Sequence, residues 1–281
     1  MADVEAISIG GQQHGLVALD AKGKVVRNAL LWNDTRSAAA ATALIAEVGA
    51  QDYIDRTGLL PVASFTATKL RWVRDAEPHL VPQIAAVCLP HDWLTWRLRG
   101  YGIEGESRLG PNLEQLVTDR SDASGTAYWS VFSERYDLDL FYEAFGRTAI
   151  EANPSRESSE SSSGEPPVIL PRVMKPEEST LVDAVPEGLL GIRSGSLVAP
   201  GCGDNAGAIL GLGAELGDVV MSIGTSGTVF AVSANPISDE TGAVAGFADA
   251  SGNYLPLVAT LNAARILDAA ARLLRVDHSE L

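Results

Sequence analysis

Short apolar runs that end in glycine turns alternate along this chain with segments whose apolar residues recur at helical spacing. That alternation constrains the fold more than any other feature. A run of four to six aliphatic residues is of strand length, whereas apolar positions at i, i+3 and i+4 mark one face of a helix. Residues 4–31 read as a strand meander: Ile7 and Ile9 alternate with small residues, Leu16-Val17-Ala18-Leu19 follows, and a turn at 20–24 leads into Val25-Val26. Asp34-Thr35 caps an Ala-rich helix expected over about 37–48, and Gly49 ends it. Helical spacing returns over 66–73 and over 92–98, on either side of a strand-length run at 84–89. Strands are expected again at 168–170, 197–199, 219–223 and 228–232, with helices over 206–213 and 259–274. Strands alternating with helices define an α/β fold.

The chain has 281 residues, 46% of them hydrophobic, enough for one large domain or two moderate ones. A second strand-turn-strand unit starts after Gly213, so the expected division is 1–213 and 214–281. The formal net charge is −15, and the 21 Lys and Arg are scattered singly, which argues against nucleic acid as a partner. No apolar stretch approaches the roughly 20 residues that span a bilayer. Met1 to Ile9 carry Asp3 and Glu5 and lack the basic-then-apolar order of a secretion signal, so a cytoplasmic protein is expected. Cys88 and Cys202 lie too far apart in sequence to read as a disulfide framework or a zinc site. Ser155 to Pro167 hold no large apolar residue, and a disordered surface insertion is expected over about 153–167.

Four places carry residues suited to chemistry. Asp204, in Gly201-Cys202-Gly203-Asp204-Asn205, sits in a glycine turn between a strand and a helix, where α/β sheets place ligands. A carboxylate there can take the proton of a hydroxyl that attacks phosphorus, and it is equally a good helix N-cap. Gly224-Thr225-Ser226-Gly227 is a glycine turn between strands, able to offer backbone N–H groups to a phosphate or simply to close a hairpin. Gln13 and His14, flanked by Gly11 and Gly15, suit a polyhydroxyl ligand or an ordinary polar turn. Trp32 can lie against the apolar face of a sugar or in the core, and Asp34 can pair with Arg36. Ser121 to Thr126 read as a small-residue loop near a site or as an ordinary turn. His79, His91 and His278 show no ligand spacing and read as surface or structural. No Gly-x-x-x-x-Gly-Lys-Ser loop is present.

The order of these motifs is distinctive: Ile-Gly-Gly-Gln-Gln-His-Gly, Leu-Leu-Trp-Asn-Asp-Thr-Arg, Leu-Pro-His-Asp-Trp-Leu, Ser-Asp-Ala-Ser-Gly-Thr, Gly-Cys-Gly-Asp-Asn-Ala and Ser-Ile-Gly-Thr-Ser-Gly. The succession resembles the xylulose kinases within the FGGY carbohydrate kinase family, from about Ala6 to Leu274. The resemblance implies a ribonuclease H-like, actin-like ATPase fold in a two-domain sugar kinase. It implies ATP-dependent phosphorylation of D-xylulose to D-xylulose 5-phosphate, with Mg2+ as cofactor and a homodimer left open. Asp204 then matches the catalytic base, Gln13, His14 and Asn205 match sugar-binding positions, and Gly224, Thr225 and Gly227 match the turn facing the ATP phosphates. No Asp-x-Gly-Thr motif precedes Gln13 and no later adenosine site follows, so the chain reads as a form truncated at both ends. Two further readings stay open: a non-catalytic remnant with a partial sugar pocket, and a kinase for ribulose or gluconate.

Overall fold

The computed structural model of the chain describes residues 4–156, 164–186, 191–224, 226–260 and 262–281. A mixed four-stranded sheet lies at its centre. Val17–Leu19 runs antiparallel to Ala86–Cys88, which pairs in parallel with Val168–Leu170, and that strand pairs in parallel with Ala149–Glu151. Successive strand side chains point to opposite faces, and the burial pattern follows. Leu16, Ala18, Val87, Val168 and Leu170 join one core with Leu44, Leu70, Val73, Phe141 and Phe145. The last five come from the helices Ala38–Val48, Thr66–Ala76 and Leu138–Phe145. Val17, Leu19, Ala86 and Cys88 face the other way, onto Trp96 of the helix Pro90–Leu98 and onto Tyr101, Leu113 and Leu116.

A second sheet is antiparallel, in the order Val219–Ile223, Gly227–Ala231, Tyr254–Thr260, Ala245–Ala248. Phe230, Val232, Phe247, Leu255 and Leu257 belong to the same core as the first sheet's Leu16 face. Val219, Met221 and Ile223 alternate along one face of the edge strand, and Val219 and Met221 remain 67% and 65% exposed. The helix Ala264–Leu274 leaves Leu273 83% exposed. Among the described residues no helix is long and apolar enough to cross a membrane.

Three expectations are corrected. The first residues do not form a meander: Ala6–Ile7 pairs in parallel with Leu197–Val198, and Gly10–Gly11 with Cys202–Gly203. Two-residue strands interrupted by glycines make too few hydrogen bonds to hold a local hairpin, so they complete sheets with partners distant in sequence. The helix expected over 259–274 is present from Ala264 to Leu274, but Ala259 and Thr260 end the strand Tyr254–Thr260, and Leu261 lies outside the described residues. Gly49, at φ 105, ends one helix and starts another, Ala50–Thr57, which the sequence reading passed over. Of the disordered insertion expected over about 153–167, residues 157–163 lie outside the described residues, and the described flanks 153–156 and 164–167 form no helix or strand.

Candidate active site

The parallel pairing of Gly10–Gly11 with Cys202–Gly203 makes the site. It sets the Gln12-Gln13-His14 turn beside the start of the helix Asp204–Leu212. Gly203 is the N-cap, in an extended conformation, and Asp204 is the first helical residue, so its carboxylate is not the cap and sits at the positive end of the helix dipole. The Asn205 backbone N–H and its side-chain Nδ2 donate to Asp204 Oδ1 at 3.0 and 3.3 Å. These bonds leave Oδ2 as the oxygen able to take a proton. Asp204 lies at the surface of the turn, yet the surrounding protein desolvates its carboxyl enough to push its pKa up, with the Asn205 amide offsetting part of this. A carboxylate so placed is a stronger base than one in open water.

Gln13 is buried, and its Nε2 donates to Ser121 O at 3.0 Å. It thus braces the site from inside, and its side chain packs so close to Gly203 that a Cβ there would meet Gln13 Cγ at 2.5 Å. His14 is one of few non-glycine residues at positive φ, 68°, a costly conformation kept where the surroundings impose it. Its ring lies 4.9 Å from Phe65, which precedes the helix Thr66–Ala76, and 5.6 Å from Phe247 of the second sheet. His14 Nδ1 is 2.9 Å from Gly125 O. A carbonyl accepts only, so Nδ1 carries the proton and donates. Burial, and after it the nearby Lys69 ammonium, lower the His14 pKa to about 3. The ring is therefore neutral, and its Nε2 is a hydrogen-bond acceptor suited to a hydroxyl.

The sequence reading missed Lys69, and with it Thr66, whose Oγ1 donates to His14 O at 3.1 Å. Lys69 is fully buried, donates to Ala63 O at 3.4 Å and bonds Ser64 O, and burial lowers its pKa to about 7. Arg36 Nε does pair with Asp34 Oδ1, at 2.9 Å, and Trp32 is 41% exposed at the end of the same segment. The glycine turn stands apart. Gly224 is exposed, its N–H donates to Ser226 O and its carbonyl accepts from Ala264, both at 2.9 Å. Gly227 opens a strand opposite Ile223 and Thr260. Thr225 lies outside the described residues. No strand pairing or hydrogen bond among the described residues joins this turn to Asp204. Cys202 is half-buried, and burial raises its thiol to about 11, too high for a nucleophile near neutral pH.

The N-terminal domain of the FGGY family of carbohydrate kinases matches residues 1–211. The chain belongs to that family. It is 46% identical over 277 residues to the xylulose kinase of Streptomyces coelicolor, covering 98% of this chain and 50% of that protein. It is 35% identical over 275 residues to the xylulose kinase of Escherichia coli, covering 97% and 50%. A crystal structure of xylulose kinase from Bifidobacterium adolescentis superposes with a TM-score of 0.83 at 45% identity, covering 99% of this chain and 56% of that one. The chain therefore has the FGGY sugar-kinase, actin-like fold and spans about half the length of the curated relatives it matches.

Proposed function

We propose that this chain contributes the sugar-binding half of an ATP-dependent xylulose kinase. The observation that carries this reading is the Gly10–Gly11 and Cys202–Gly203 pairing, which sets the turn that carries Gln13 and His14 beside the start of the helix that carries Asp204 and Asn205. Asp204 accepts the proton of the 5-hydroxyl of D-xylulose as that oxygen attacks the γ-phosphorus of ATP. The new O–P bond forms as the bond from γ-phosphorus to the bridging oxygen breaks, giving xylulose 5-phosphate and ADP. Asn205 aims Asp204, neutral His14 accepts from a sugar hydroxyl, and buried Gln13 fixes the turn that carries His14. Gly224, Thr225 and Gly227 face the phosphates in this reading, supported by their motif and by the exposure of Gly224. Magnesium accompanies the nucleotide in phosphoryl transfer and neutralises its charge. Among the described residues no trio of carboxylate or imidazole side chains stands at the mouth of this site, so no step is assigned to the ion. The division near Gly213 is part of the same proposal: Gly213 ends the helix in a left-handed conformation and the new sheet follows.

The test joins this chain to the C-terminal half of the Streptomyces coelicolor enzyme and follows ADP release with D-xylulose, D-ribulose and D-gluconate. Turnover with D-xylulose that Asp204→Asn lowers by about 100-fold or more, the usual contribution of a general base, is the expected result. A D204N rate close to the parent's would remove Asp204 from that role, and preference for another sugar would overturn the substrate.

A further inference from the structure

Behind the turn that carries Asp204 lies a sealed group of ionisable side chains outside the proposed mechanism. His91, Asp92, Asp119 and Asp122 are all buried. His91 and Asp92 come from the helix Pro90–Leu98, and Asp122 from the helix Arg120–Ser124, which Asp119 caps. We propose that His91 is a positioning residue for the Asp204 turn, a doubly protonated ring that clamps the Asp122 carboxylate on one side and the Pro200 carbonyl on the other.

With the neighbouring carboxyls ionised, the geometry calls for both ring protons. Nδ1 bonds Asp122 Oδ2, and Nε2 faces Pro200 O at 3.3 Å, Asp92 Oδ1 at 3.4 Å and Asp119 Oδ1 at 3.8 Å. Every one of these neighbours is a carbonyl or carboxylate oxygen. A neutral imidazole has one N–H and one lone pair, so with the carboxyls ionised the lone pair would face an acceptor in either tautomer; burial raises Asp122 to about 7 and Asp92 to about 6, which leaves both ionised at pH 8. Burial alone would favour the neutral ring, but Asp122, Asp92 and Asp119 outweigh it and raise the pKa to about 10. Among the described residues the other groups facing the cluster are uncharged near neutral pH: Thr118 beside Asp92, Ser121, Gln13, the Cys88 and Cys202 thiols and the Tyr128 phenol.

The turn is shaped to this ring. A Cβ on Gly201 would meet His91 Cδ2 at 2.6 Å and Nε2 at 2.7 Å, and one on Gly11 would meet His91 Cβ at 2.8 Å. Gly203 N–H donates to Ser121 Oγ at 3.0 Å, and Ser121 Oγ donates in turn to Asp119 Oδ2. The backbone at Pro200 and at Gly203, on both sides of Cys202 and immediately before Asp204, is thus tied to the same buried cluster. The bearing of the clamp on catalysis rests on the reading of Asp204 as base; the clamp itself does not.

The test uses the 281-residue chain labelled with nitrogen-15 at histidine, of which there are four, and assigns His91 by substituting the other three. Two N–H signals on the His91 ring at pH 8 are expected, and a singly protonated ring overturns the proposal. Asp122→Asn, which keeps the shape and removes the charge, should bring deprotonation of His91 to a lower pH; an unchanged midpoint also overturns it. Exchange of the Gly203 amide hydrogen should speed up about tenfold or more in His91→Gln, the effect of losing about 1.4 kcal/mol. It should return close to the parent rate in His91→Lys, which restores a cation. Equal exchange in all three chains refutes the positioning role, and equal acceleration by Gln and Lys refutes the need for charge. If His91→Gln does not fold, the ring signals and the Asp122→Asn midpoint decide.

Discussion

The same substitution, glycine to alanine, should have opposite effects at the two ends of the helix that begins with Asp204. Gly203 precedes it at φ −66 and ψ 157, a conformation any residue adopts, so alanine brings no backbone strain. Its Cβ, however, would stand 2.5 Å from Gln13 Cγ, 2.7 Å from Gln13 Cδ and 2.9 Å from Asp122 Oδ1. Gln13 must move, and it is buried with its amide bonded to Ser121 O. Overpacking of this kind costs about 1–3 kcal/mol, and the lost hydrogen bond about 1 kcal/mol more. The smaller entropy of the unfolded alanine chain returns about 0.4–1 kcal/mol. Gly203→Ala should therefore destabilise by about 1–3.5 kcal/mol, the range those terms leave. Gly211, in the last turn of the same helix, would place its Cβ in open space with nothing within 4 Å. There alanine should stabilise by about 0.5–1 kcal/mol, the usual helix preference. Equilibrium urea unfolding followed by tryptophan fluorescence measures both, provided the denaturant slope is unchanged. A Gly203→Ala chain as stable as the parent would refute the packing argument.

Lys69 titrates in the folded chain near 7 instead of 10.5 because burial disfavours its charge. Between those values the unfolded chain holds the proton and the folded chain does not, so stability rises with pH across that window; Lys69→Met should flatten this rise, read as urea midpoints at pH 6.5 and 9.5. His91 has the opposite sign, since its pKa is raised to about 10 and the stability it supplies below 6.5 is lost as pH passes 10, so the comparison is parent against variant at each pH. Arg71, nearly buried, bonds Glu47 Oε1 and Asp75 Oδ2, each at 2.7 Å. Both acids are about half-exposed and screened, so Arg71→Met should cost only about 1–2 kcal/mol, shrinking in 1 M salt. The exposed apolar face of Val219, Met221 and Ile223 should bind a hydrophobic dye; fluorescence enhancement unchanged in Met221→Ser would exclude that face as the binding site.

The central sheet was legible because its strands obey period two and its helices period 3.6, and Leu16 and Ala18 do separate from Val17 and Leu19 onto opposite cores. Of the meander expected over 4–31, the part from Leu16 to Leu30 does pair locally, through the Leu16–Leu30 and Leu19–Val25 bridges; what failed was the pairing of the first two runs. A reader of sequence joins neighbouring runs into hairpins, but Ala6–Ile7 and Gly10–Gly11 pair with strands almost 200 residues away. Nothing in either short segment encodes its partner. The end of the strand Tyr254–Thr260 was misassigned for a different reason: Ala259 and Thr260 run into the alanine-rich helix that follows, and periodicity alone did not divide them.

Within the site, legibility divides by burial. Asp204, Gln13 and His14 stood out because glycines flank polar side chains in turns, and glycine there has a visible conformational use. Lys69 did not stand out, since a lysine on a helix with Arg71 and Arg74 reads as a solvated face. In the structure that turn of the helix is covered, and Thr66, Thr68 and Lys69 spend their polar groups on the carbonyls of the preceding loop and of His14. His91 and Asp122 are 31 residues apart, with no spacing that announces a pair. Their trace in the sequence is indirect. Gly11, Gly201 and Gly203 look like ordinary turn glycines, yet only Gly201 of the three has a positive φ, at 90°. The other two are glycine because His91, Gln13 and Asp122 fill the space a side chain would need. A glycine without a positive φ is thus a sign of something packed against it, and here what is packed against it is the buried cluster behind the Asp204 turn.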